Sequence, residues 1–145
     1  MKYYIATAIT NTAGHHALRD EMTDRGHKLT YDWTRHGSVQ HEGEARIAEV
    51  CLREIFGIVE ADVVIVLLPG GRGTHVELGI AIGLRKPVLL VGSPESFEQA
   101  GMICSFYLAP MVKALRKATD QAWEQSVAAV AAQLAGCTRN TKWVQ

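Results

Sequence analysis

The stretch Pro69-Gly70-Gly71-Arg72-Gly73-Thr74-His75-Val76-Glu77 gathers glycines, a guanidinium, a hydroxyl and a carboxylate into one short segment. Glycines at 70, 71 and 73 let a backbone turn sharply and approach a ligand closely, and a helix that starts there points unpaired N–H groups at it. Such a cradle suits an anionic or oxygen-rich ligand, with Arg72 as cation and Thr74 as hydroxyl donor. It is not the dinucleotide fingerprint, because the spacing of its glycines differs, and no Gly-Lys-Ser/Thr follows to make a nucleoside-triphosphate loop. Glu77 has two readings. Thr74-His75-Val76-Glu77 can be a capping box, with the glutamate turned back onto its own helix end. Alternatively, a glutamate one turn into a helix can present its carboxylate to a sugar and attack the anomeric carbon as positive charge builds there. Spacing alone does not separate them.

The elements that must position these residues alternate along the chain. Tyr3 to Ile9 reads as a strand ending in the loop Thr10-Asn11-Thr12-Ala13-Gly14, and His15 to Arg25 as a helix stopped by Gly26. Lys28 to Thr34 alternates apolar and polar residues like a half-buried strand. After a polar loop from Arg35 to Gly43, Ala45 to Val59 has helical periodicity. Asp62 to Leu68 is a β-branched run without alternation, as in a strand buried on both faces. The glycine loop leads from it into a helix over Val76 to Leu84. Val88 to Val91 reads as a buried strand, Met102 to Leu108 as the final strand, and Lys117 to Leu134 as a helix with small alanines facing a packed neighbour. Alternating strands and helices with short connections predict an α/β chain: an open five-stranded parallel sheet, flavodoxin-like or Rossmann-like, with helices on both faces. Ligands in such sheets bind beyond the carboxyl ends of the strands, which selects the loops after Ile9, Thr34, Leu68 and Gly92.

Several segments together resemble the nucleoside 2-deoxyribosyltransferase family, which includes deoxynucleoside 5′-monophosphate N-glycosidases. They are Ala61-Asp62, Gly73-Thr74-His75-Val76-Glu77-Leu78-Gly79-Ile80-Ala81 and Lys86-Pro87-Val88, with Tyr4-Ile5-Ala6 and Tyr31-Asp32-Trp33-Thr34 ahead of them. The resemblance spans roughly Tyr3 to Val91. It implies that Glu77 is the nucleophile, holding the 2-deoxyribosyl group as a covalent ester before passing it to another base or to water. It also implies an acidic helper eight residues before Asp62. That position is Glu54, where the family usually has aspartate. Asp62 itself, at the start of its strand, reads as a structural turn residue. The monophosphate hydrolases carry a glycine and arginine cluster in the first loop, where this chain has Thr10-Asn11-Thr12-Ala13-Gly14. A second segment, Pro69 to Glu77, is similar to the motif of the cytokinin-activating phosphoribohydrolases, whose catalytic arginine would fall on Arg53. Both resemblances imply cleavage of a base-to-sugar bond around Glu77.

The substrate contacts expected from these readings are Gly70, Gly71, Arg72, Gly73 and Thr74 for the sugar or phosphate end. Trp33 is expected at the base, with Ile9, Thr10 and Asn11 of the first loop. Tyr4 and Trp33 can stack on a base or pack the core, and Arg53 is the contact specific to the second resemblance. The six histidines show no metal-site spacing, so no metal and no cofactor is expected. The partner expected is a small nucleoside or nucleotide, against the rival of a nucleotide-sensing module without turnover. Fifteen basic residues balance fifteen acidic ones, which excludes bulk attraction to polymeric nucleic acid or an anionic membrane. At 145 residues the chain reads as one domain over 1–145. Cys51, Cys104 and Cys137, odd in number and widely spaced, fit a reducing cytoplasm, as does the lack of a secretory leader or apolar span. The resemblance and the alanine-rich last helix imply a homo-oligomer, and Cys137 to Gln145, with Trp143, can reach a neighbouring subunit.

Overall fold

The computed structural model describes residues 1–116 and 123–137. In chain order the elements are β1 (Lys2–Ala6), α1 (Thr12–Asp24), β2 (Lys28–Leu29), α2 (Glu44–Glu60), β3 (Val63–Leu67), α3 (Arg72–Gly83), β4 (Val88–Gly92), β5 (Glu98–Gln99), β6 (Met102–Ile103), β7 (Val112–Arg116) and α4 (Trp123–Cys137). Five strands form an all-parallel sheet in the order β2-β1-β3-β4-β7, and β5 pairs with β6 in a separate antiparallel hairpin. With that hairpin set aside, the order is flavodoxin-like, and it reverses beside β1 and β3.

Strand alternation divides the core. Tyr3, Ile5, Val63, Ile65 and Leu89 point to the side covered by α1 and α4, where Leu18, Met22 and Val127 meet them. Tyr4, Ala6, Val64, Val66 and Leu90 point to the side covered by α2 and α3, against Ile58, Leu78 and Ala81. β3 and β4 are buried throughout and β1 is buried from Tyr3 onward, which is why their sequences lack alternation. Asp62 accepts from the Lys2 N–H at 2.6 Å and ties the amino ends of β1 and β3, a structural position away from the carboxyl ends. Lys86 donates to the carbonyls of Val59 and Ala61, placing a cation where the dipole of α2 ends.

Four boundaries differ from the sequence reading, each for a local reason. β1 ends at Ala6, because Ile9–Asn11 already coils as a 3-10 turn into α1. β2 stops after Leu29. Asp32 accepts from the N–H and the hydroxyl of Thr34, which turns Trp33–Arg35 into a 3-10 helix in place of a strand. The α3 helix begins at Arg72, so Arg72, Gly73 and Thr74 form its first turn and are not loop. Met102 to Leu108 is not the final strand. It is β6 followed by a 3-10 helix, part of an excursion between β4 and β7, and the last strand of the sheet is Val112–Arg116. The expected helix from Lys117 is observed over Trp123–Cys137. Residues 117–122 and 138–145, with Trp143, lie outside the described residues.

Candidate active site

A cavity of about 540 Å³ opens at the carboxyl ends of β1 and β3, a volume in the range of small-molecule sites. Its floor comes from the first turn of α3 and its second-turn carboxylate: Gly71, Arg72, Gly73, Thr74 and Glu77. One wall is the end of β1 and the turn after it, Thr7 to Thr10. The opposite wall is the inward face of α2, where Ile47, Val50, Cys51 and Glu54 recur at helical spacing. Trp33 and the loop from His36 to Gln40 close the remaining side.

The first turn of α3 is built by Thr74, not by Glu77. The N-cap is Gly71, and its N–H donates to Thr74 Oγ1 at 3.2 Å. Gly70 allows this, because a Cβ there would sit 2.7 Å from Thr74 Cγ2. The capping-box reading of Thr74 and Glu77 therefore does not hold. Glu77 is left one turn further in, 8% exposed, with its side chain at the cavity.

Glu77 Oε1 accepts from the hydroxyl of Tyr4 at 2.5 Å. Tyr4 stands in the middle of β1 and is wholly buried, so it reaches Glu77 from beneath the cavity without lining it. Its ring lies against α2 at Gly57, where a Cβ would come within 3.0 Å of Tyr4 Cδ2 and Cε2 and 2.9 Å of Tyr31 Cβ. Burial raises the Glu77 carboxyl most, the Tyr4 hydrogen bond pulls it down, and the negative charge of Glu54 raises it again, leaving it pushed up to about 8. The Glu54 carboxyl is also raised by burial, with His36 acting in the opposite direction. Both acids thus hold protons more firmly than exposed carboxylates, a condition met where proton transfer is needed near neutral pH.

Of the residues singled out from sequence, the cavity brings together Glu77, Glu54, Ile9, Thr10, Trp33, Gly71, Arg72, Gly73 and Thr74. Asn11 does not line it; its amide donates to Thr7 Oγ1 and fixes the loop, while Thr7 binds the carbonyl of Leu67. Gly70 lies outside the wall and serves the turn. Arg53 also lies outside the wall, pairing with Glu49 at 2.5 Å on the exposed part of α2. Tyr4 presents its hydroxyl to Glu77 and no face to the cavity. Trp33 is 7% exposed, donates to the carbonyl of Ile5, and keeps one side at the cavity. The loop after Gly92 contributes no wall. Sequence reasoning did not single out Thr7, the 36–40 loop, or the apolar α2 residues Ile47, Val50 and Cys51. Only the placement of a loop after β2, and the apolar stripe that also carries Glu54, point toward them.

Among the described residues no group of His, Cys, Asp and Glu side chains could hold a metal ion, and no helix is long and apolar enough to cross a membrane. No curated protein matches the chain significantly. Among solved structures, the Clostridium botulinum CMP N-glycosidase BcmB has a similar fold, with a TM-score of 0.64 and 16% identity over 88% of this chain and 98% of that one. Residues 4–106, well over half of the sequence and including both carboxylates of the cavity, match the nucleoside 2-deoxyribosyltransferase profile, and the chain belongs to that family of enzymes acting on N-glycosidic bonds.

Proposed function

We propose that the chain cleaves the N-glycosidic bond of 2′-deoxyribonucleosides with Glu77 as nucleophile and transfers the sugar to another base. The observation that carries this reading is a buried carboxyl at the cavity floor that is held by Tyr4 and not used by its own helix end. The base lies against Trp33 and the 36–40 loop, and the sugar lies over Gly71 to Thr74. Ionised Glu77 attacks C1′, and the bonding pair of the N-glycosidic bond leaves with the base. Glu54, whose carboxyl burial raises above the ordinary carboxylate range, gives its proton to the departing nitrogen. An acceptor base then attacks C1′ of the glutamyl ester, returns a proton to Glu54, and releases Glu77. Two inversions give net retention.

Hydrolysis of a nucleoside 5′-monophosphate is the second reading. Arg72 and the first N–H groups of α3 favour it, because together they suit a phosphate at the sugar end. Incubation with a deoxynucleoside and a different free base should yield the swapped nucleoside. Free deoxyribose, or its 5-phosphate from a monophosphate substrate, would establish the hydrolase instead. A 2-fluoro-arabinosyl nucleoside should leave a mass adduct on Glu77 that Glu77→Gln does not form. No product and no adduct, with a thermal shift on adding nucleotide, would overturn both enzymatic readings in favour of a sensor.

A further inference from the structure

Gly71, Arg72 and Gly73 open the first turn of α3 at the floor of the cavity, and all three are exposed. Nothing packs within 4 Å of where a Cβ would stand on either glycine. Unpacked glycine backbone ranges over many conformations, so this turn keeps one shape only if it is tied. Two side chains tie it, both at Gly71. The Gly71 N–H donates to Thr74 Oγ1 at 3.2 Å, and the Gly71 carbonyl accepts from the backbone N–H of His75 at 3.2 Å. The same carbonyl oxygen lies 2.8 Å from His75 Nδ1. A carbonyl only accepts, so Nδ1 carries the ring hydrogen, and in the neutral ring Nε2 is then an acceptor. Its donor is the Tyr107 hydroxyl, 2.7 Å away, and the two rings stack with centroids 5.9 Å apart. Tyr107 is itself fixed in the excursion between β4 and β7. It is 8% exposed, its ring stands edge-on to Phe97, and the Arg116 guanidinium lies 4.7 Å from the centre of the Phe97 ring. Arg116 ends β7, so a continuous chain of contacts runs from the edge strand of the sheet, through the excursion, to the N-cap of α3.

We propose that His75 is a positioning residue for the glycine cradle, held in one tautomer and one orientation by Tyr107, and that this pair sets the affinity for the sugar end of the substrate. The inference rests on the reading that the sugar lies over Gly71 to Thr74. Neither His75 nor Tyr107 lines the cavity, so both act through Gly71 and not on the substrate itself. Loss of the tie lets the turn leave its binding-competent shape, and the apparent affinity falls with the fraction that stays competent. Glu77 stands outside this chain of contacts, one turn further along α3, with its carboxyl held by Tyr4 from beneath. A loosened cradle therefore weakens the bound substrate and the transition state alike, which raises KM and leaves kcat in place. That pattern separates His75 and Tyr107 from Tyr4, whose hydroxyl bears on the reacting carboxyl.

The test is steady-state kinetics of the full chain with a deoxynucleoside and a free acceptor base, joined by hydrogen exchange of the Gly71 and His75 amides, both bonded within the turn. Tyr107→Phe removes the hydroxyl and keeps the ring. It should raise KM for the nucleoside about 2- to 10-fold, with kcat and its pH dependence unchanged, and should speed exchange of both amides. His75→Ala loses both bonds of the imidazole and should raise KM further. His75→Asn, whose side-chain amide can donate to the Gly71 carbonyl, should bring KM back to that of Tyr107→Phe. In the His75→Ala background, Tyr107→Phe should add nothing, because the hydroxyl acts only through the imidazole. Additive effects in the double variant, a fall in kcat with a shifted pH profile, or an unchanged KM in His75→Ala would each overturn the proposal. Absence of product from the parent chain would instead overturn the enzymatic reading; nucleoside affinity by calorimetry then takes the place of KM and decides the role of His75 by the same comparisons.

Discussion

Tyr4 acts on Glu77 with a single hydroxyl, and its effect can be separated from that of the carboxyl itself. A hydrogen bond to a charged acceptor contributes about 1.5–3 kcal/mol, so Tyr4→Phe should lower kcat/KM by about 10- to 100-fold. The same bond pulls the Glu77 carboxyl down from where burial puts it. Nucleophilic attack needs the ionised form, so kcat/KM should rise with pH through about 8, and Tyr4→Phe should move that rise to higher pH. A variant that loses activity with an unmoved pH profile would show that Tyr4 serves only packing. His15 makes a second residue-level case. It is wholly buried behind Trp33, with neither ring nitrogen hydrogen-bonded within the protein, and burial depresses it to about 4. Asp32 and Asp20 pull that value up, whereas His16 and Arg19 push it down. A histidine depressed in the folded state contributes stability above its unfolded value, and that stability drains as pH falls from about 6.5 toward 4. His15→Leu should therefore gain about 1–3 kcal/mol at pH 7. At pH 5 the gap over the parent should widen by about 2 kcal/mol, as read by urea unfolding.

At the scale of elements, α2 does two jobs. Its inward face walls the cavity and carries Glu54, and Gly57 on the same helix accepts the Tyr4 ring. Gly57→Ala should cost about 1–3 kcal/mol of stability by crowding Tyr4 and Tyr31, and it should lower kcat through the displaced tyrosine. Thermal unfolding and steady-state rates check both effects, and Gly57→Ala should behave like Tyr4→Phe in its pH profile. The elements also show where sequence patterns carry information. Val63–Leu67 and Val88–Gly92 were legible because burial on both faces leaves no room for polar side chains. Leu29, Tyr31 and Trp33 alternate as a strand would, yet the Asp32 turn bends them, and a side-chain hydrogen bond leaves no trace in apolar spacing. Met102 to Leu108 is apolar because it lies on the α2 and α3 side of the molecule, with Tyr107 in the core and its neighbours exposed. A short apolar run is the same in either setting. Val112–Arg116, half-buried at the sheet edge, lacks the unbroken apolar run of the central strands. In the site, the glycine cradle stands out by its residue types, while spacing alone leaves Glu77 between a helix cap and a cavity carboxyl, and the 36–40 wall has no periodicity to reveal it.

For the whole molecule, charge balance bears on how substrate arrives. Fifteen basic and fifteen acidic residues give no net field, and the cavity wall places Arg72 and His36 against Glu54 and Glu77. A neutral nucleoside gains nothing from long-range steering in such a field. Its kcat/KM should stay within about twofold from low to high ionic strength, whereas a nucleoside monophosphate held by Arg72 should lose affinity as salt rises. Running both substrates across a salt series distinguishes the two sugar-end readings independently of product analysis.

The wall from His36 to Gln40 hangs from β2, a strand of only two paired residues at the sheet margin, while Glu54 and Glu77, the carboxyls proposed for catalysis, stand on the helices α2 and α3 packed on the sheet. With the base against that segment as proposed, nucleobase preference is open to redesign by exchanging the exposed Ser38 and Gln40, while buried Val39 keeps the loop seated and Glu54 and Glu77 stay in place.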